Sequence, residues 1–392
     1  MAQYKYLIVG GGMTADAAVR GIRAADPKGT IGLFSQEPDP PYKRPLLSKG
    51  LWLGKTVEQA WLKTETLGVE LHLAKSIVTI DPRRKRVTDD RGDEHAYGAL
   101  LLATGGTPRR LPFGEPSVIY YRTMRDYQRL RTAAETGRRY AVIGGNFIGS
   151  EIAAALAING KEVIMIFPDT EICGRVFPAD LARSVTDHFR QKGVEIISGE
   201  SVIGISGGAK PVLQLKGRGG LPVDGVIAGI GIQPNTALAQ SAGLEISDGG
   251  IVVNEQLQTS APGIFSAGDV ALIHNPALEK FMRVEHEDNA LKMGEAAGRS
   301  MAGEKIVYRH LPYFYSDLFE LGYEAVGELD PRLNIYADWV EPYKKGIVYY
   351  LKNGRVRGVL TWNMYGLMDK ARDLIAEPGP FASADLKNRL GA

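Results

Sequence analysis

The chain has 392 residues, 44% hydrophobic and 23% charged. This is the balance of a globular protein with room for two or three domains of ~150 residues, and it excludes a disordered or fibrous chain. Its 47 basic and 45 acidic residues leave a net charge of +2, which gives no electrostatic footprint for nucleic acid or an anionic membrane. The single cysteine, Cys173, rules out an intramolecular disulfide framework and fits a reducing compartment.

In chain order, the first apolar run, Tyr6 to Val9, passes straight into Gly10-Gly11-Gly12. It lacks the basic n-region and long apolar h-region of a secretory signal. The longest apolar candidate, Phe147 to Ile158, is interrupted by Glu151 and falls short of the ~18 residues of a membrane span. A cytoplasmic protein is expected. Tyr4 to Val9 reads as a strand, Gly10 to Ala15 as a glycine turn, Asp16 to Ala25 as an alanine-rich helix and Thr30 to Phe34 as a second strand. Strand, glycine turn, helix and strand make a dinucleotide-binding unit. The first glycine makes the tight turn, the second lets backbone approach a pyrophosphate, and a third small residue lets helix pack on strand. Gly10, Gly12 and Ala15 fill these places.

Next, Ser76 to Val87 and Glu94 to Leu102 alternate as β-structure. The basic run Arg83 to Arg86 is expected in a solvated hairpin, balanced by Asp89, Asp90, Asp93 and Glu94. Leu100 to Gly106 is a buried strand entering a glycine turn. A second dinucleotide unit follows: strand Arg139 to Ile143, turn Gly144-Gly145-Asn146-Phe147-Ile148-Gly149, a helix through Leu156 and strand Glu162 to Phe167. Here Asn146 holds the middle glycine's place. Two copies in the same context predict two nucleotide sites. Strand-to-glycine runs recur at Val226 to Gly231 and Gly263 to Asp269. Beyond about residue 310, aromatic β-like runs (Tyr313 to Phe319, Gly346 to Leu351, Val356 to Trp362) and a helix, Leu367 to Ala376, mark a third domain.

With the segments Ala103-Thr104-Gly105-Gly106 and Ala267-Gly268-Asp269, the two units resemble the two-nucleotide flavoprotein reductases. Pro41-Tyr42-Lys43-Arg44-Pro45-Leu46-Leu47-Ser48-Lys49 narrows the resemblance to the ferredoxin reductase and apoptosis-inducing factor branch. Thr107-Pro108-Arg109, Arg283-Val284-Glu285-His286, Ser316-Asp317, Gly322-Tyr323-Glu324 and Trp362-Asn363 favour the apoptosis-inducing factor type. The similarity runs from residue 4 to about residue 376. It implies an α/β fold of glutathione-reductase-like architecture, with two dinucleotide-binding (Rossmann-type) domains and an α+β C-terminal domain. The implied divisions are an FAD-binding domain at 1–112 and 237–308, an NAD(P)H-binding domain at 113–236 and a C-terminal domain at 309–392.

The implied activity is that of an FAD-dependent NAD(P)H oxidoreductase, with NADH favoured over NADPH as the donor of hydride to flavin N5. The acceptor is left open between a ferredoxin or rubredoxin, a quinone and oxygen, with a long-lived charge-transfer complex as one route. Two alternatives stand beside this reading: a redox-controlled binding protein whose dimerisation responds to NADH, and the reductase component of an oxygenase system.

The resemblance also assigns residues. Gly10, Gly11, Gly12, Met13 and Thr14 cradle the FAD pyrophosphate at a helix N-terminus. Gln36 stands where the family carries the ribose-binding acid, with Glu37 beside it as a substitute. Arg44 and Arg122 contact FAD, Ile77 offers backbone to adenine, and Asp269, expected at a helix entry, binds the ribityl chain. Glu285, His286 and Glu287 complete the flavin segment. Lys49 and Glu151 are the expected reactive pair, a cation beside the flavin ring and the carboxylate that holds it. Gly145, Asn146, Phe147 and Ile148 line the NADH site, with Phe147 shielding the flavin. Asp169 favours the free ribose hydroxyls of NADH, whereas Arg175 suits a 2′-phosphate. Gly231, Tyr315 (where the family has tryptophan), Glu324 and Asn363 finish the pattern. The six histidines show no metal-ligand spacing, so no metal is expected. No cysteine lies near the first unit, which argues against thiol-exchange catalysis.

Overall fold

The computed structural model describes residues 2–207 and 210–391. The chain divides into two compact units. One is Met1–Arg44, Thr56–Thr107 and Gln233–Pro312; the other is Pro45–Lys55, Pro108–Ile232 and Tyr313–Ala392.

The first unit is built on a sheet whose central strand is Ala2–Val9. Ile31–Phe34 pairs with it in parallel on one side and Glu94–Leu102 on the other, with Val9 opposite both Phe34 and Leu102. Leu100, Leu101 and Leu102 are fully buried because Ile264–Ser266 pairs in parallel on the far side of their strand; a parallel strand covered on both faces reads as a continuous apolar run. The helix Met13–Ala25 packs backbone to backbone on the helix Glu287–Met301. A Cβ at Gly21 would lie 2.2 Å from the Glu295 carbonyl oxygen, and one at Gly298 would lie 2.1 Å from that of Ala18. The second helix is a weak apolar signal because Gly294 and Gly298 make the closest approach, with only Ala290, Met293, Ala297 and Met301 as buried apolar residues beside them.

The segment expected as one basic hairpin is two consecutive hairpins. Ile77–Asp81 pairs with Arg86–Asp89, which pairs in turn with Glu94–Leu102, both antiparallel. Glu94 takes up Arg86 at 2.5 Å, as a solvated turn requires. Asp89 departs from that expectation. Its side chain is fully buried, receives Lys75 Nζ and His95 Nε2 at 2.9 Å each, and accepts the backbone N–H groups of Arg91 and Asp93. Burial alone would raise its pKa. His95, Lys75 and the two N–H groups overcome that and hold it below the usual carboxylate range. Asp269 also departs from the reading. It lies in a single 3-10 turn, Gly268–Val270, that leads into the strand Ala271–Asn275, not into a helix.

The second unit carries the parallel sheet of the repeated motif, in the order Glu195–Ser198, Glu162–Phe167, Arg139–Ile143, Gly225–Ala228, Val118–Tyr120. The helix Phe147–Ile158 follows the glycine turn. From residue 313 the chain forms a five-stranded antiparallel sheet in the order Tyr313–Leu318, Leu321–Gly327, Arg355–Trp362, Lys345–Lys352, Asn334–Glu341, followed by the helix Met368–Ala376. Leu321–Gly327 and Asn334–Glu341 are the strands that alternation does not reveal, since Gly322 and Glu324 break the first and Asp338 the second. Among the described residues no helix is long and apolar enough to cross a membrane.

Candidate functional site

In the first unit, Gly10 adopts φ +130°, and a Cβ there would meet the Ala103 carbonyl oxygen at 2.1 Å. Only glycine fits so sharp a turn out of the strand. Gly12 then caps the helix Met13–Ala25 without any side-chain cap bond. A Cβ on Gly12 would have a single neighbour within reach, Arg44 Nη2 at 4.0 Å. The helix N-terminus therefore opens onto space with a guanidinium at its edge, an arrangement that suits a pyrophosphate. The residues present fit the phosphates of FAD.

Arg44 is itself held. Its guanidinium pairs with Glu37 and donates to Tyr42 Oη at 2.9 Å, while Tyr42 Oη donates to Glu37 Oε2 at 2.7 Å. Burial pulls the Arg44 pKa down, but Tyr42, Glu37 and Asp269 outweigh it and raise it above the ordinary value. Glu37 is thus drawn into an anchor for Arg44, and Gln36 next to it is exposed. Met13 and Thr14 are buried, and Gly268 approaches Thr14 so closely that a Cβ on Gly268 would lie 2.3 Å from Oγ1. Asp269 accepts Arg283 Nη1 at its backbone oxygen, 2.8 Å away, and Arg283 also pairs with Glu285 at 2.5 Å. His286 is the N-cap of the helix Glu287–Met301, with Glu287 and Asp288 in its first turn. Ile77 is buried at the start of its strand.

In the second unit Gly144 repeats the turn at φ +114°, with a Cβ excluded by the Gly229 carbonyl oxygen at 2.3 Å. Asn146 caps the helix Phe147–Ile158 through its backbone alone. Asparagine is therefore tolerated in the middle place, because its φ of −99° demands no glycine. Gly145 is pressed against the Phe167 ring, 2.7 Å from a Cβ, and Ile148 is 40% exposed. Phe147 is half-buried and meets Phe314 edge-on at 5.4 Å, so it is not a closed core residue. Past the strand Glu162–Phe167, Arg175 Nε donates to Asp169 Oδ1 at 3.0 Å. Gly231, at φ +91°, accepts the Arg109 N–H.

The same unit brings Lys49 and Glu151 together across 102 positions of sequence, with Nζ to Oε1 at 2.7 Å. Glu151 is 6% exposed. Its carboxylate also accepts Ser316 Oγ on Oε1 and Ser48 Oγ on Oε2, both at 2.6 Å. Lys49 Nζ lies 4.9 Å from the centre of the Tyr315 ring, close enough for a cation–π contact. Behind the carboxylate, burial pushes the Cys173 thiol up to about 12, and the charge of Glu151 adds to this. The thiol is therefore inert, as the absence of a thiol-exchange motif suggests. Arg122, by contrast, is placed by its backbone N–H on Asp126, at the start of the helix Met124–Thr136.

Farther along, Asn363 acts as a clamp. Its Oδ1 accepts the Gly322 N–H at 2.7 Å and its Nδ2 donates to the Lys344 carbonyl at 2.8 Å. Glu324 accepts the Gly366 N–H at 2.9 Å. Both residues order the loops around the C-terminal sheet. The roles of Ser48, Ser316 and Tyr42 were not foreseen. Tyr42 and Ser48 sit inside the motif that carried the resemblance, so its outer positions held the available signal.

Comparison with known proteins adds the following. The family described as pyridine nucleotide-disulphide oxidoreductase matches residues 4–294. The one described as apoptosis-inducing factor, mitochondrion-associated, C-term matches residues 337–377. The chain is 33% identical to apoptosis-inducing factor 1, mitochondrial, of Dictyostelium discoideum, over 95% of this chain and 78% of that one. It is 32% identical to putidaredoxin reductase of Pseudomonas putida, over 95% and 92%. Among solved structures it is similar to the reductase in a covalent putidaredoxin reductase–putidaredoxin complex, with TM-score 0.91 and 30% identity, covering 100% of this chain and 96% of that one.

Proposed function

Since the chain belongs to the pyridine nucleotide-disulphide oxidoreductase family and is an FAD-dependent NAD(P)H oxidoreductase, we propose that it takes electrons from NADH and delivers them to a small iron–sulfur carrier of ferredoxin type. The observation that carries the chemistry is the half-buried Lys49 paired with the buried Glu151, with Tyr315 beside the lysine. Bound FAD supplies the hydride acceptance and onward electron transfer that no side chain provides.

The protein's own residues supply position and charge. Gly10, Gly12 and the N-terminus of the helix Met13–Ala25 hold the pyrophosphate, and Arg44 covers it. Lys49 presents a fixed cation to the flavin ring, where it stabilises negative charge, and Glu151 keeps that cation in place. Gly144 and Asn146 open the second helix N-terminus to the nicotinamide nucleotide. Phe147, half-buried against Phe314, would shield the flavin ring. Asp169 accepts the ribose hydroxyls, with Arg175 tethered to it through Nε.

The carrier as acceptor is supported by the reductase–putidaredoxin complex among the similar structures. A cytoplasmic homodimer completes the reading, and the lone buried Cys173 is consistent with a reducing compartment. The match of residues 337–377 to the apoptosis-inducing factor C-terminal family favours one second reading: NADH controls dimerisation and partner binding, and turnover is secondary.

The experiment is anaerobic stopped-flow reduction by NADH, followed by separate admission of oxygen, a quinone and a ferredoxin-type protein, with sedimentation before and after NADH. The proposal expects fast reoxidation by the iron–sulfur protein alone. A reduced complex that persists for minutes in air, together with a change of oligomer, supports the second reading. Failure of both NADH and NADPH to reduce the flavin overturns both.

A further inference from the structure

We infer that Ser316 is a positioning residue for Lys49 and acts on it through Glu151. The inference rests on the assignment of Lys49 to the flavin. Glu151 takes part in three side-chain contacts that originate in two separate parts of the chain, the adjacent Ser48 and Lys49 and the distant Ser316. Oε1 meets Lys49 Nζ at 2.7 Å and Ser316 Oγ at 2.6 Å, and Oε2 meets Ser48 Oγ at 2.6 Å. Ser316 is 1% exposed, Ser48 5% and Glu151 6%, so water does not replace a missing donor.

A carboxylate offers about four acceptor sites, and a lysine ammonium is a compact charge on a flexible stem with no preferred direction of its own. Lys49 alone does not fix the plane of Glu151. With one hydroxyl on each oxygen the carboxylate plane is set, and the remaining site on Oε1 is the one that receives Lys49. Ser316 also belongs to the strand Tyr313–Leu318 next to Tyr315, the ring 4.9 Å from Lys49 Nζ. One strand thus orients the carboxylate that holds the cation and presents the ring the cation faces. A shift of this strand moves both together, so Ser316 links the C-terminal sheet to the position of Lys49.

The test compares Ser316→Ala, Ser316→Thr, Ser48→Ala, Lys49→Met and the double variant Ser316→Ala/Lys49→Met. The readouts are the midpoint potential of bound FAD, the rate of anaerobic reduction by NADH and, in FAD-free protein, labelling of Lys49 by an amine reagent followed by peptide mass spectrometry. Loss of a hydrogen bond to a charged group is expected to slow reduction roughly tenfold in Ser316→Ala. The potential falls, and Lys49 labels several-fold faster. Ser316→Thr, which keeps the hydroxyl, returns to within about twofold of the parent. In the Lys49→Met background the Ser316→Ala change has no further effect on rate or potential, because its path runs through the lysine.

Equal losses in both backgrounds, or a lowered rate with unchanged potential and labelling, overturn the inference and leave Ser316 a packing residue. Lys49→Met slowing reduction while Ser316→Ala does not overturns the inference alone. A parent-like rate and potential in Lys49→Met overturns the assignment of Lys49 itself. Should Ser316→Ala fail to fold, Ser48→Ala and the labelling of Ser316→Thr apply the same criteria from the other oxygen.

Discussion

Replacing Glu151 by glutamine removes one charge and almost no volume. The parent carboxylate is 6% exposed and binds an ammonium and two hydroxyls. A glutamine amide keeps one oxygen acceptor and turns the other position into a donor, which then faces a hydroxyl or the ammonium. Lys49 is left without its anion. Its side chain retains 14% exposure, so some hydration survives. Breaking a fully buried pair from one side costs about 3–5 kcal/mol. The residual exposure and the kept oxygen lower this to about 2–3 kcal/mol. For a unit of roughly 200 residues that is a drop in Tm of about 5–10 °C. The assay is thermal unfolding of FAD-free protein by circular dichroism, so that cofactor loss does not enter. Reduction by NADH is measured on the loaded variant and is expected to slow at least tenfold, about 1.4 kcal/mol in the barrier. A Tm within about 1 °C of the parent, with unchanged reduction, refutes the view that Glu151 is the buried anchor of Lys49.

Asp89 is the acid-sensitive point of the first unit. Its pKa is depressed on folding, so its stabilisation is complete above the ordinary carboxylate value near 4 and is lost as pH falls through the lower folded value. Asp89→Asn is expected to lower stability at pH 7 by about 1–3 kcal/mol and to flatten this acid dependence; urea unfolding between pH 2 and 7 checks both. Cys173 is expected to resist alkylation in the native protein at pH 8, since it is buried and its thiol is pushed up to about 12. Rapid labelling without unfolding contradicts that burial. Asp169→Ala is expected to reduce kcat/KM for NADH about tenfold and leave Arg175 free to favour the 2′-phosphate. Unchanged discrimination between NADH and NADPH removes Asp169 from the ribose site.

What was legible in the sequence was whatever local chemistry enforces. Gly10 and Gly144 announce themselves because both adopt positive φ against a carbonyl oxygen, and the strand Glu162–Phe167 is read end to end from its apolar run. The helix Glu287–Met301 was not legible, since its buried face mixes Ala290, Met293, Ala297 and Met301 with Gly294 and Gly298 and carries no run of large aliphatic side chains. Asp89 looked like part of a solvated charge run because sequence spacing does not show that the side chain turns inward to Lys75 and His95. Lys49 and Glu151 entered through resemblance, with no local spacing to join them. Ser316 meets Glu151 across 165 positions; the segment Ser316-Asp317 contributed to the resemblance, but no local spacing showed that its hydroxyl reaches this carboxylate.

The most direct test of the account is anaerobic stopped-flow reduction by NADH of the FAD-loaded parent and of Lys49→Met, followed at the flavin absorbance. The account predicts full reduction of the parent and a rate at least tenfold lower in the variant, with FAD still bound because Arg44 and the Gly10–Gly12 turn hold the pyrophosphate independently of Lys49. Equal rates in the two proteins would contradict the claim that this half-buried cation serves the flavin.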